Sequence, residues 1–353
     1  MTRIIVIGGG IAGLSAAAAL SRDAEVTVLE RETALGYHAS GRSAAMFEEN
    51  YGSATVRALN RASRFGLETY GVLSPRGLLG VALEGDDTAF EADIEGLGLV
   101  EISTAEARAM VPILSEEIQR AGLHEGAFDI DTDRLLQVLR SEARSHGAEV
   151  RVGAEVTGIE RGNGWRITSG GEVLRADLLV NAGGAWADQL AVMAGVDVVG
   201  LQPFRRSMAR LPAPGGHDVR RWPMLMGPGE TWYAKPDAGG WIVSPAEEDP
   251  VDPMDAWADD MVLAEGLARY QPYVSEEVTR VETNWAGLRT FAPDRTLVIG
   301  PDKAVDDFYW MAGQGGYGFQ TALAAAGLLA DLVNGRTPSL GPDMVAALSP
   351  GRF

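Results

Sequence analysis

Cysteine is absent from all 353 residues. That excludes disulfides, zinc–thiolate centres, iron–sulfur clusters and any cofactor tethered through a cysteine. Histidine is scarce: His38, His124, His146 and His217 are the whole set, without HxxxH or similar spacing, so a catalytic metal site is not expected. Positive charge is outweighed, 30 Lys and Arg against 49 Asp and Glu, for a formal net charge of −19. Such a surface argues against nucleic acid or an anionic membrane as partner and suits an acidic cytoplasmic protein. Long apolar runs are missing too. The one candidate, Ile4 to Leu20, is broken by four glycines where a signal sequence or membrane span would be continuous.

Glycine, in contrast, is plentiful at 44 residues, and its placement carries information. The β-branched run Ile4-Ile5-Val6-Ile7 reads as a buried strand and empties into Gly8-Gly9-Gly10-Ile11-Ala12-Gly13. An alanine-rich helix follows, Leu14 to Leu20, and then a second strand, Val26 to Leu29, closed by Glu30. This is a βαβ unit carrying GxGxxG with an acid about 20 residues on, the arrangement that binds a dinucleotide. Gly8 permits the tight turn, Gly10 lets backbone approach a pyrophosphate, and Gly13 lets helix and strand pack closely. Glu30 would accept hydrogen bonds from ribose hydroxyls and repel a 2′-phosphate, which favours FAD or NAD over NADP, although Arg31 beside it works the other way.

Further along, Ser40-Gly41-Arg42-Ser43-Ala44-Ala45 is a small-residue strip suited to lying along a flat ligand, with Arg42 and the two serine hydroxyls available to it. A helix is expected over Ser53 to Tyr70, a strand over Leu78 to Leu83, and an acidic helical stretch over Asp86 to Pro112, capped at Ser103. Another helix ends at Gly147, followed by strands at Glu149–Val152 and Glu155–Ile159. Ala176 to Asn181 is a second buried strand entering a glycine turn, Gly183-Gly184, which suggests a sheet interrupted by an insertion and then resumed. Asp249 to Tyr273 reads as polar and helical, and Trp285 to Asp294 as a crossing to the last portion. There a second glycine loop, Gly313-Gln314-Gly315-Gly316-Tyr317-Gly318, opens the final helix, Phe319 to Asn334.

In this order GGGIAG with Glu30, Gly41-Arg42-Ser43, VNAGGAW, WAGLR and GQGGYG resemble the D-amino-acid oxidase and dehydrogenase family of FAD flavoproteins, which includes glycine and sarcosine oxidases. GYHASGRSAA, LQPFRRS, YAKPDAG and WAGLRTFAPD look most like bacterial D-arginine dehydrogenase. The likeness covers nearly the whole chain. It implies an α/β fold with a Rossmann-like FAD-binding domain, discontinuous in sequence (1–75, 137–202, 290–353), and a mixed-sheet substrate domain (76–136, 203–289). It also implies non-covalent FAD held by Gly8, Gly10, Ile11, Ala12, Gly13, Glu30 and Arg31, by the strip Ser40 to Ala45, by Val156, Ala182, Gly183 and Trp186, and by Gly315, Gly316, Tyr317, Gly318, Phe319 and Gln320. Substrate residues carried over by the likeness are Tyr51, Arg206, Tyr233, Arg289 and Gly316.

The implied reaction removes hydride from the α-carbon of a D-amino acid to flavin N5, giving an imino acid that hydrolyses to a 2-oxo acid and ammonia. Arg289 is the first choice for the substrate carboxylate, since a planar guanidinium matches it in charge and geometry. Two departures bear on the side chain. Met46 stands where D-arginine dehydrogenase has a histidine, and Leu78 where it has the acid that pairs the guanidinium. Neutral or apolar side chains are therefore favoured. Alternatives are basic D-amino acids, with Glu48 or Glu49 supplying the acid, and an N-substituted glycine or 2-hydroxy acid. Oxygen, a quinone or a carrier protein is equally compatible with these residues as electron acceptor.

Overall fold

The computed structural model describes residues 1–353. Strand Arg3–Ile7 lies inside a six-stranded sheet whose order is Val298–Pro301, Phe308–Ala312, Leu178–Asn181, Arg3–Ile7, Glu25–Leu29, Glu149–Arg151. Every neighbouring pair is parallel except the first. Because side chains alternate, Ile4 and Val6 enter one core while Ile5 and Ile7 enter another. On the first face pack helices Ile11–Leu20, Ala54–Thr69, Thr132–Ser145 and Gly318–Val333. On the second lies a three-stranded antiparallel layer, Val156–Gly162, Gly164–Ser169 and Glu172–Ala176, with Trp165 and Ile167 fully buried. The interrupted sheet resumes as expected, with Leu178–Asn181 beside the first strand.

A second, nine-stranded mixed sheet runs Asp249–Pro250, Gln202–Leu211, Gly240–Ser244, Tyr233–Asp237, Met224–Met226, Leu78–Ala82, Arg120–His124, Val100–Ile102, and Thr283–Phe291 pairs along Gln202–Leu211. One face carries Leu79, Leu225, Ala234, Val243, Ala209 and Ala286 into a core of its own. The opposite face presents Leu78, Met224, Met226, Tyr233, Met208, Arg206 and Arg289, as the pairing register requires. The result is an α/β protein with mixed sheets.

Several local expectations change. Of Asp249 to Tyr273, only Asp260–Tyr270 is α-helical, with a short 3-10 turn at Gln271–Tyr273; Asp249–Pro250 instead pairs with Phe204 and Arg205, and Asp259 caps the helix by accepting from the Met261 and Val262 N–H groups. The acidic stretch 86–112 divides into helices Asp87–Leu97 and Thr104–Met110 around a strand, the latter closed by a capping box of Ser103 and Glu106. Trp285 to Phe291 is not a crossing segment but part of a nine-residue strand. The expected boundary at 137 falls inside helix Thr132–Ser145, which packs on Ile11–Leu20, so that helix goes with the first sheet from its start. No helix is long and apolar enough to cross a membrane.

The glycine turn shows how tightly the first unit is built. A Cβ on Gly13 would lie 1.8 Å from the Gly8 carbonyl oxygen, and one on Gly8, whose φ is +115°, 2.3 Å from that of Ala182. Gly13→Ala is expected to destabilise the protein by about 3 kcal/mol or more, since backbone must move to admit the methyl. Gly327→Ala, exposed on helix Gly318–Val333 with nothing within 4 Å of its Cβ, is expected to stabilise by about 0.5–1 kcal/mol. Urea denaturation of both variants checks the pair; equal effects would contradict the packing argument.

Candidate active site

A cavity of about 400 Å³ runs from the first glycine turn to the Arg206 and Arg289 face of the nine-stranded sheet. At its nucleotide end, Gly8, Gly10, Ile11 and Ala12 line the wall. Helix Ile11–Leu20 starts there with extended Gly10 at its N-cap. Its Ile11 N–H donates to Ser40 Oγ at 3.0 Å, while those of Ala12 and Gly13 find no acceptor in the protein. Opening N–H groups left without partners at a helix start form an anion site that suits a pyrophosphate. Glu30 is fixed by the N–H groups of Gly9 (2.6 Å) and Glu32 (2.9 Å), which hold its carboxylate at the cavity wall. Arg31 stacks 3.9 Å over the Trp186 ring, and both line the cavity with Val156, Ala182 and Gly183.

The middle is flanked by Ser40 and Arg42 to Ala45 on one side and by Gly315, Gly316, Gly318, Phe319 and Gln320 on the other. Helix Gly318–Val333 begins here, directing its positive end at the cavity. These residues fit FAD: a backbone anion site, an acid for ribose, and two flat strips of small residues. When bound, FAD supplies the two-electron acceptor.

Three expected cofactor residues do not face this cavity. Gly13 and Gly41 are packing residues; a Cβ on Gly41 would lie 2.5 Å from the Gly36 carbonyl oxygen. Tyr317 turns away to pack edge-on against Tyr51 and Phe291. Arg42 lines the cavity but its guanidinium is already committed, to the carbonyls of Ala256 (2.7 Å) and Ala286 (3.1 Å) and to Asp255 (2.5 Å), so it is not free for a pyrophosphate.

At the far end, the alternation of two paired strands brings Arg206, Met208, Gly287 and Arg289 to one wall. Arg289 is half-buried, with 19% of its side chain exposed, and lies against Gly316, where a Cβ would come within 3.1 Å of its guanidinium carbon. Its nearest ion-pair partner, Glu230 Oε1, is 3.6 Å away, outside hydrogen-bond distance. Arg206 is 5% exposed and taken up by Glu230 (3.1 Å) and Glu248 (3.3 Å). The Tyr51 hydroxyl donates to Glu230 Oε2 at 2.8 Å, and Tyr233 reaches only the Met208 sulfur, at 3.6 Å. Burial pushes the Glu230 carboxyl up, yet the charges of Arg289 and Arg206 outweigh it and hold the group below the usual carboxylate range. Burial, reinforced by Glu230, raises the Tyr51 hydroxyl.

Met46, Leu78, Leu97, Met224 and Met226 complete an apolar wall. Glu48 sits among them, buried, accepting from the Asn50 N–H (3.0 Å) and bonded to His124 Nδ1 (2.6 Å). Burial raises its carboxyl despite these partners. Glu49 is elsewhere, paired with Arg61 and Arg64. The sequence reading missed Glu230. Gly227-Pro228-Gly229 announces a turn, but only the register of the next strand tells where the following side chain points.

A model of the family described as FAD dependent oxidoreductase matches residues 3–332. Glycine oxidase from Pseudomonas aeruginosa is 26% identical over 370 residues, covering 96% of this chain and 97% of that protein. Among solved structures, glycine oxidase from Geobacillus kaustophilus superposes with a TM-score of 0.84 at 23% identity, covering each chain completely. L-proline dehydrogenase from P. horikoshii gives 0.83 at 23% identity, covering 100% of this chain and 97% of that one. With a match that extends from the first strand through the last long helix, and a cavity whose residues fit the cofactor, the chain belongs to the DAO family of FAD-dependent oxidoreductases.

Proposed function

We propose that this FAD-dependent oxidoreductase oxidises the carbon–nitrogen bond of a D-amino acid with a neutral or apolar side chain. The observation that carries the reading is Arg289, a half-buried guanidinium lying open to the cavity with its closest carboxylate at 3.6 Å. A substrate carboxylate would give it the bidentate partner that the protein does not. Tyr233, whose hydroxyl has only a thioether for a partner, would add a second donor. Beside them on the same sheet face, the methionine and leucine wall would take the side chain by burial of apolar surface. Preference for the D configuration rests on the likeness of the YAKPDAG and WAGLRTFAPD motifs to D-arginine dehydrogenase.

Proton movement is simple in such a site. Glu230 is held ionised by two arginines and is a weak base, and the Tyr51 hydroxyl is raised, so neither is suited to take a proton from a substrate ammonium. The amine would therefore enter neutral, losing its proton to solvent, while Arg289 and Tyr233 hold the carboxylate and the apolar wall excludes water from the reacting carbon. The resulting imino acid would hydrolyse to a 2-oxo acid and ammonia.

A second reading follows from Glu48, whose buried carboxylate shares the apolar wall. A long basic side chain could reach it in competition with His124.

Anaerobic bleaching of the flavin absorbance over a panel of D- and L-amino acids tests the proposal. D-methionine and D-leucine are expected to bleach it; bleaching only by sarcosine-like amines, lactate-like acids or L-enantiomers would overturn it. Arg289→Lys keeps charge but loses the fork, and kcat/KM should fall by about 30- to 150-fold, matching a charge-assisted bond of about 2–3 kcal/mol. For the second reading, Glu48→Gln should lower kcat/KM for D-lysine by about tenfold and leave D-methionine within about twofold. Equal changes for both substrates would remove Glu48 from any role in reading the side chain.

A further inference from the structure

Glu230 lies at the substrate end of the cavity between two arginines, and the proposed reaction does not use it. It sits at a backbone φ of +56°, the left-handed region that residues other than glycine rarely occupy, immediately before the strand that carries Tyr233. Strain of this kind persists only where the surroundings enforce it. Here the turn is anchored from outside by Asp93, which accepts from the Gly229 N–H at 2.8 Å. From inside, Glu230 is gripped by Arg206 and Tyr51. The chain thus accepts a strained residue in order to place a carboxylate between two active-site guanidinium groups.

The direct ion pairs around that carboxylate join three arginines through two glutamates. Arg206 contacts Glu230 and Glu248; Glu248 also pairs with Arg295 at 2.9 Å; the one ion-pair contact of Arg289 is Glu230. Glu247, whose charge also acts on Arg206, is turned to the Ser207 N–H, so the under-partnered arginine is Arg289. One incoming carboxylate gives Arg289 the direct partner it lacks. A second has no cation left, because Glu230 Oε1 already occupies the Nη1 of Arg206.

We propose that Glu230 is an internal stand-in for a second substrate carboxylate, and that it restricts this site to monocarboxylates. This deepens the proposed function and rests on its assignment of Arg289 to the substrate carboxylate. A dicarboxylate would have to displace an anion held by Arg206 and Tyr51 or sit beside it, and like charges brought together in a low-dielectric cavity repel strongly. Removing the charge while keeping the shape frees the Arg206 fork, so Glu230→Gln converts a site for one carboxylate into a site for two.

Binding of unreactive carboxylates tests this without turnover, so it stays informative whatever substrate the enzyme oxidises. Acetate and malonate are titrated into the FAD-loaded protein, and the shift of the flavin absorbance gives each dissociation constant. The parent is expected to bind acetate at least about tenfold more tightly than malonate, and Glu230→Gln to shift that ratio toward malonate by about tenfold or more. Glu230→Ala should move it the same way and serves if the glutamine variant does not retain FAD. Arg289→Lys should weaken both ligands. Malonate binding to the parent as tightly as acetate would overturn the proposal, as would glutamine and alanine variants that change both ligands by one common factor. If neither ligand perturbs the parent's spectrum, the carboxylate assignment of Arg289 fails, and this inference with it.

Discussion

A guanidinium taken out of water costs several kcal/mol unless its charge and its donors are met, and Arg289, with four-fifths of its side chain withdrawn from solvent, has both only half met. Glu230 stands 3.6 Å away, near enough to supply Coulomb attraction and too far to accept a good hydrogen bond. That incomplete pairing is the constraint on which the rest of the site depends. Arg206 could not play the part, since two carboxylates already take both of its terminal nitrogens and leave only a buried Nε without a partner. The two arginines come from adjacent antiparallel strands, on the same face by register, so their difference lies in partners and not in placement.

The opposite end of the cavity uses another economy. Two helices, Ile11–Leu20 and Gly318–Val333, begin at glycine turns and aim their N-termini at the same space. Backbone N–H groups supply the attraction for anionic parts of FAD, so no basic side chain is needed there, and a protein with a net charge of −19 can still hold a doubly phosphorylated cofactor. The committed state of Arg42 fits this. Its charge is spent on joining elements of the protein, while main chain does the binding.

Much of this architecture could be read from local patterns. Ile4 to Ile7 with the glycine turn, the acid at Glu30, and the strand ending in Asn181 all carry their meaning within a dozen residues, where period and turn chemistry are decisive. Arg289 was legible through its surrounding motif. What escaped was whatever depends on register between distant strands. The segment Asp249 to Asp259, with Pro250 and Pro253, reads as the start of the helix that follows, but pairing with Phe204 and Arg205 and a cap at Asp259 decide otherwise. Glu230 and the commitment of Arg206 are of the same kind: each follows from partners tens of residues away. Tyr317 lies in a glycine loop that does line the cavity, yet aromatic neighbours on both sides draw its ring out.

The strip Ser40 to Ala45 lies along the cofactor space but is fastened by the substrate sheet. Lys235, on the same strand face as Tyr233, donates from its buried amine to the Ala44 carbonyl (2.8 Å) and to Asp129 (2.5 Å). Trp285, on the same strand and face as Arg289, donates to the Arg42 carbonyl, and the Ala286 carbonyl accepts from Arg42. Burial lowers the Lys235 amine against the pull of Asp129, a cost the fold bears at this one seam. The return is mechanical. Transfer between a substrate carbon and a cofactor requires the reacting atoms within about 3–3.5 Å and aligned, and an error of an ångström in either partner is felt. By tying the cofactor strip to the two strands that carry Tyr233 and Arg289, the protein references both ends of the cavity to a single sheet, so that shifts between its two large sheets need not appear as shifts across the cavity.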